Sequence, residues 1–244
     1  MLSDDWRSVR ARLVAGEHGS DSLKAAMKIT PDEWWAHEIT IPEKGCLLLS
    51  RREDLGVFSH SIVLITEHES GIGSSGLILN SPTRLYVHML GLESGPVSSV
   101  FAQSPLFFGG PVATNLLHVV HGRPEVIGAE EVMDGVLAGG VDNAADLVVE
   151  GKAKAEDFRV MAGYCAWGPR QLEEELSAGT WWCVAASKQL ILDCISETAA
   201  GWSPLVLAAD ETELDSPQLR ESKKRACWER VLRCAGIRLK EHES

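Results

Sequence analysis

GYCAWGPRQLEEELSAGTWW, residues 163 to 182, decides how this chain is read. With Gly168 as helix N-cap and Pro169 in the first turn, Trp167 falls at N′ and Leu172 at N4. Those are the two positions of a hydrophobic staple. Gln171 then sits at N3, where its amide reaches back toward the cap. Glu173, Glu174 and Glu175 follow where the helix dipole favours negative charge, and Gly179 closes the helix. The stretch therefore reads as a strand end, a short helix and a second strand, TWWCVAAS. Cys165 precedes the helix, a setting that can depress a thiol pKa. Its neighbours Tyr164, Ala166 and Trp167 supply no base, so a packed thiol is the preferred reading and a redox-active Cys165 the alternative.

Working outward, short apolar runs separated by turn residues begin at Gly45: CLLLS, SIVLIT (61 to 66), GLILN (76 to 80), LFFGG, LLHVVHG and DFRVMAG. They are rich in Leu, Ile and Val and too short for independent helices, so they read as buried strands. EVMDGVLAGG reads as strand-like up to its glycine pair. RLYVHMLGL, DNAADLVVEG and PRQLEEELSAG read as short helices. SPQLRESKKRACWERVLRCAG opens with a Ser cap and Pro, places Trp228, Leu232 and Ala235 at helical spacing, and stops at Gly236. Residues 1 to 43 form an extension with a short helix over WRSVRARLVAG, expected to pack on the core through Trp34 and Trp35, since two adjacent exposed indoles are a liability on a soluble surface. Residues 44 to 244 form the main domain, C-terminal helix included.

At 244 residues, 45% of them hydrophobic and 24% charged, the chain is an ordinary globular protein with a substantial core. A formal charge of −12 repels polyanions and disfavours nucleic acid as a partner. No apolar run approaches a membrane span, and the N-terminus lacks the apolar stretch of a secretory signal. A soluble intracellular protein is expected. The six cysteines make no C-x-x-C spacing, and Cys227 and Cys234 lie too far apart on one helix to bridge.

Other motifs carry less. GIGSSG (71 to 76) has nucleotide-loop spacing but precedes a strand-like run stopped by proline, so it reads as a glycine-rich connection between strands. His118 and His121 spell H-x-x-H, yet on a strand they point to opposite faces and cannot chelate one ion together; no metal and no cofactor is expected. His60 reads as a capping or surface histidine. No G-x-S-x-G nucleophile elbow is present, and no carboxylate pair stands out. The basic run Lys223, Lys224, Arg225, Arg230, Arg233, Arg238 and Lys240 reads as a solvated helix face able to meet an acidic patch, including one on a second copy.

KGCLLLS (44 to 50), FSHSIVLITEHESGIGSSGLILNSPT (58 to 83), FFGGPV (107 to 112), LHVVHG (117 to 122) and the opening stretch together resemble the YqgE/AlgH family of mostly bacterial proteins with plant and algal relatives. The likeness runs in order through residues 44 to 187. Ala166 and Arg170 depart from it, standing where the family commonly has glycine. The resemblance implies an α+β fold with a bifurcated, barrel-like mixed sheet flanked by helices. The extension is similar to that of the plant or algal branch, which points to a plastid, with cytoplasm the alternative. Labels of the family include transcriptional regulation, for which neither a helix-turn-helix nor the charge speaks.

These readings lead to a non-enzymatic binding or regulatory domain for a protein or small-molecule partner. Its candidate ligand-binding residues are Asn80, Ser81, Pro82, Gly109, Gly110 and Pro111, where glycine permits close backbone approach and Asn offers donor and acceptor groups. The alternatives are a thiol-dependent enzyme or redox sensor using Cys165, and a transcriptional regulator.

Overall fold

The computed structural model describes Arg7, Arg10, residues 34–200 and residues 216–239. The apolar runs pair into one sheet of eleven strands: β1 (Ala36–Glu38), β2 (Leu47–Ser50), β3 (Ile62–Glu69), β4 (Gly73–Ile78), β5 (Pro82–Tyr86), β6 (Pro105–Phe108), β7 (Val112–His121), β8 (Ala129–Met133), β9 (Val136–Gly139), β10 (Phe158–Trp167) and β11 (Trp181–Ala186). Over residues 34–200 and 216–239, five α-helices accompany it: α1 (Pro96–Val100), α2 (Val141–Val149), α3 (Gln171–Ser177), α4 (Lys188–Ala200) and α5 (Pro217–Cys234). The spatial order is β1-β11-β2-β3-β4-β10-β7-β9-β8, with β5 and β6 branching from β10. Every pairing is antiparallel except β6 with β10. Among the described residues the path does not close into a barrel.

The fork sits on β10. One edge of this strand pairs with β7 from Phe158 to Tyr164; the other edge meets β6 at Met161 and Ala162 and then β4 from Cys165 to Trp167. At the branch the Gly109 peptide bridges both sides, its N–H donating to the Ala162 carbonyl and its carbonyl accepting from the Ile78 N–H, each at 2.8 Å. Backbones meet so closely here that a Cβ on Gly109 would overlap the Gly163 carbonyl oxygen, and one on Gly110 the Tyr164 peptide. Only residues without a side chain fit such a crossing.

Three large apolar clusters, and a small one of Trp35 and Ala185, fill the described residues. The largest lies between the sheet and α4 and α5, joining Leu47, Leu64, Leu79 and Phe107 to Leu190, Cys194, Cys227 and Trp228. A second packs β7 and β10 against α1 and α2. The third sets β2, β3 and β4 against α3, and contains Trp167, Leu172, Cys165 and Trp181. Trp167 and Leu172, the expected staple pair, are buried in one cluster but do not occupy N′ and N4, and Gln171 Oε1 accepts from the Gly168 N–H at 3.0 Å. The helix itself begins two residues later than expected, with Arg170 at φ +63° as its N-cap. Glu175 does more than complement a dipole: its Oε2 accepts from the indole N–H of Trp167 (3.0 Å) and of Trp181 (2.7 Å), while Oε1 accepts from Gln171 Nε2 (2.9 Å).

Several expectations are corrected. RLYVHMLGL is half strand, ending β5 before one 3-10 turn over Val87–Leu90. EVMDGVLAGG is a hairpin, with Met133 opposite Val136 across Asp134 and Gly135. α4, capped by the Ser187 hydroxyl accepting from the Leu190 N–H at 3.2 Å, was not anticipated. α5 is no solvated ribbon: Ser216 caps it as expected, but Cys227, Trp228, Val231 and Leu232 enter the core and Lys224 is buried, donating to the Val57 carbonyl at 2.9 Å. Trp35 is buried, whereas Trp34 is half exposed beneath the Arg230 guanidinium, 4.8 Å from its ring. The helix over WRSVRARLVAG lies outside the described residues except for Arg7 and Arg10; Arg7 donates to the Lys44 and Gly45 carbonyls and Arg10 pairs with Glu43 at 2.6 Å.

One residue in the core stands apart. Arg159 on β10 is 2% exposed and lies 3.7 Å from the Phe107 ring centroid, and its Nε and one terminal nitrogen have no hydrogen-bond partner. Burial pushes its pKa down to about 9. Desolvating an unpaired guanidinium is expensive.

Four substitutions test this reading. Gly109→Ala lowers stability by about 3 kcal/mol or more, because two backbones must part to admit the methyl. Gly168→Ala, where a methyl meets only the Gln171 side chain at 3.8 Å, changes it by less than about 1 kcal/mol. Glu175→Ala costs about 2–4 kcal/mol by orphaning two indole donors. Arg159→Met gains about 1–3 kcal/mol, since a similar volume is filled without a charge. Urea unfolding midpoints measure all of them.

Candidate functional site

A cleft of about 390 Å³ opens on the face of the sheet beside the fork. Its polar wall comes from four strands and one more at the rim: Thr66 and Glu67 of β3, Ser75 of β4, His118 of β7 and Tyr164 of β10, with Glu130 of β8 opposite. Leu77, Val132 and Ala138 supply apolar wall between them.

Two irregularities of pairing bring these groups together. Adjacent residues on a regular strand face opposite ways, yet Thr66 and Glu67 both line the cleft. The register of β3 against β4 slips between Ile65 and Glu67, a bulge that re-aims the side chains at that point. The second slip, in β10 between Ala162 and Tyr164, falls on Gly163 at φ +73° and turns the Tyr164 ring toward His118. The two rings meet edge to face, centroids 5.9 Å apart. The same glycine contact that splits the sheet therefore places a phenol in the cleft.

The chemistry of the wall is that of uncharged donors and acceptors with carboxylates at the lip. The Thr66 and Ser75 hydroxyls bond each other at 2.8 Å. Burial pushes the His118 pKa below its ordinary value, so the ring is neutral at physiological pH. Its Nε2 is enclosed and lacks a hydrogen-bond partner. A buried ring nitrogen left unbonded costs about 1–3 kcal/mol, which a ligand atom bonding there recovers. His121 lies on the other face, as strand parity requires, its ring against Phe158 at 5.2 Å.

The residues singled out from the sequence are held elsewhere. Asn80 is fully buried, and its amide is engaged with backbone throughout: Oδ1 accepts from the Ile62 N–H (2.9 Å) and Nδ2 donates to the carbonyls of His60 (2.8 Å) and Lys224 (2.9 Å). The Ser81 carbonyl accepts from Phe108 at 2.8 Å, and Pro82 opens β5 opposite Phe107. Gly109 and Gly110 are packed against β10 at the fork, with exposed Pro111 following them. Cys165 is 1% exposed; its thiol donates to the Gly109 carbonyl at 3.5 Å, and burial pushes its pKa up to about 12, away from the thiolate.

Thr66, Ser75 and Tyr164 escaped sequence reasoning because a bulge is invisible in an apolar pattern. In the sequence, His118 stands out only as half of the H-x-x-H pair. Strand parity, which separated it from His121, was the signal that it faced different company.

Comparison with known proteins places the cleft in context. The AlgH-like family model matches residues 47–212, a span that includes every cleft residue named above. A UPF0301 protein of Chlorobium limicola is 35% identical over 138 residues, 55% of this chain and 70% of the relative. One from Bacteroides thetaiotaomicron is 30% identical over 145 residues, 58% of this chain and 70% of the relative. In solved structures, the AlgH protein from Pseudomonas aeruginosa superposes with TM-score 0.51 at 20% identity, covering 70% of this chain and 95% of that one. A protein from Corynebacterium diphtheriae gives 0.50 at 22% identity, covering 71% and 90%. These likenesses show the same α+β fold. With more than half its length matched in order, and with the forked sheet those stretches build, the chain belongs to the AlgH-like family.

Proposed function

We propose that this protein is a non-enzymatic binding or regulatory domain whose ligand is a small, donor-rich molecule such as an amine or amide held in the cleft between Thr66, Ser75, His118 and Tyr164. The observation that carries the reading is the unbonded Nε2 of neutral His118 beside the Tyr164 ring. A neutral imidazole can accept a bond from a ligand N–H, and Glu67 and Glu130 favour donors or positive charge at the mouth. The hydroxyl pair, already bonded to itself, orients a guest without an activated nucleophile.

The rest of the proposal follows the family and the charge. Residues 44–244 act as one domain including α5, and residues 1–43 are an extension upon it, an arrangement supported by β1 pairing with β11 and by the Arg7 and Arg10 contacts. The likeness of that extension to the plant and algal branch supports a plastid location. No helix among the described residues is long and apolar enough to cross a membrane. The net charge of −12 speaks against a regulator that grips DNA directly.

Titration of the ¹⁵N-labelled protein with a set of small amines, amides, polyols and carboxylates tests the site. Amines and amides are expected to shift the backbone signals of Ser75, His118 and Tyr164, and His118→Phe to weaken them about tenfold through one lost bond. Affinity should fall as pH drops below 6.5 through the depressed pKa of His118, because protonation removes the acceptor. Shifts mapping away from the cleft, a preference for carboxylates, or chemical turnover of any bound compound would contradict the proposal.

A further inference from the structure

A larger concavity, about 910 Å³, lies on another side of the molecule, between the segment after β2, strand β11, and α5 with the residues that follow it. Its volume is in the range of small-molecule sites. α5 starts beyond the residues matched by the family model, so this concavity is built in part from sequence outside the family domain.

Four guanidinium groups line it, from Arg51, Arg52, Arg225 and Arg238. Two are neutralised within the protein: Arg52 makes two bonds to the Asp54 carboxylate, at 2.9 and 2.6 Å, and Arg225 donates to Glu229 at 2.9 Å. The other two have no carboxylate within ion-pairing distance among the described residues. Arg51 instead lies over Trp182, 5.0 Å from the ring centroid. On a chain of net charge −12, these two guanidinium groups against the single further carboxylate of Glu53 leave the concavity locally positive.

Glu53 and Asp54 add two carboxylates beside Arg52, and the rest of the lining is aromatic and aliphatic. Half-buried Trp182 stands beside Trp228, ring centroids 6.3 Å apart, and Ile237 and Leu239 continue the apolar wall. His60 and Trp228 also line the concavity and are themselves almost wholly buried, at 8% and 4% exposure. Each holds a ring nitrogen, Nε2 and Nε1, that makes no hydrogen bond, although the Glu53 carboxylate lies 3.7 Å from His60 Nε2. His60 is kept in place by Glu221, which bonds its Nδ1 at 2.8 Å, and by an edge-on contact with Trp228 at 5.0 Å. Its backbone is in the left-handed region at φ +51°, a conformation costly for a residue with a side chain.

The geometry points to a second binding site here, for a small aromatic oxyanion: a planar ring bearing a phosphate or carboxylate. Arg51 and Arg238 supply planar, two-pronged recognition of the oxyanion, and the ring packs on the Trp182, Ile237 and Leu239 wall. This chemistry is opposite in sign to that of the family cleft, so one ligand cannot serve both. Phosphate and carboxylate share the same guanidinium recognition, and separate probes distinguish them.

The indole N–H signals of the full chain report on this site, because Trp182 and Trp228 are two of only eight tryptophans and each is assigned by a Trp→Phe substitution. Phenyl phosphate or benzoate is expected to shift those two signals saturably, at least about tenfold more tightly than inorganic phosphate or phenol. Arg51→Gln and Arg238→Gln should each weaken binding about tenfold, the other indole signals staying in place as evidence of an intact fold. The inference is overturned if neither aromatic anion moves these signals, or if both variants bind as the parent does. It is likewise overturned if binding emerges only after residues 240–244 are deleted, which would make the chain's own acidic C-terminus the occupant.

Discussion

The close crossing of backbones at Gly109, Gly110 and Gly163 is the constraint on which the sheet depends. A strand has two edges, and β10 gives one to β7 while dividing the other between β6 and β4. Division requires a point where neither neighbour continues and every N–H and C=O still finds a partner. The Gly109 peptide meets that requirement by bonding Ala162 on one side and Ile78 on the other. It reaches both only because nothing projects from its α-carbon. Without that bridge the two halves of the sheet would be separate layers, and the clusters they cover, one under α3 and one under α1 and α2, would lose their common wall.

Function enters through the same contact. The bulge that relieves the crossing falls at Gly163 and brings the Tyr164 ring against His118. A second bulge at Thr66 brings a hydroxyl and the Glu67 carboxylate to one side of β3. A regular sheet would have sent half of these groups into apolar core. The polar cleft is thus a consequence of irregular pairing, and glycine, the residue with no functional group, determines which functional groups meet.

What could be read in advance follows the range of the interactions involved. The strands from CLLLS to TWWCVAAS are visible because each run is apolar, short and punctuated. The burial of Trp167 with Leu172 is visible because the two lie five positions apart at one helix entry, although the helix starts too late for them to form the expected staple. The hairpin over Met133 to Val136 was also there to be read: Asp-Gly between two β-forming runs is a strong two-residue turn signal. α4 carried a Ser cap at 187 and apolar residues at 190, 191, 194 and 195, a helical pattern that its Leu-Ile run disguised. Other features were beyond sequence reasoning. Nothing local to Asn80 says that its partners are His60 and Lys224, the latter 144 positions away. Nothing local to Glu175 names two indoles as its donors. At Gly109, Gly110 and Asn80 the close approach and the hydrogen bonds are made by the protein's own backbone.

The basic run of α5 shows how an averaged property misleads. As composition it is a solvated face on an acidic chain, yet Lys224 is buried and holds the Val57 carbonyl, and its own carbonyl accepts from Asn80. Burial depresses the Lys224 pKa, as it does that of Arg159 beneath the same helices. Charges buried with few partners do not make a strong case for stability; hydrocarbon of equal size would pack there at lower cost. What they supply is position. Apolar contacts between a helix and a sheet tolerate sliding by a turn, whereas a lysine that must find one carbonyl and an asparagine that must find another allow a single register. The residues presented by α5, Arg225 and Trp228 among them, then face the segment after β2 in a fixed arrangement, with Arg51 and His60 across from them. A wall assembled from parts so distant in sequence holds its shape because the helix bearing half of it cannot shift.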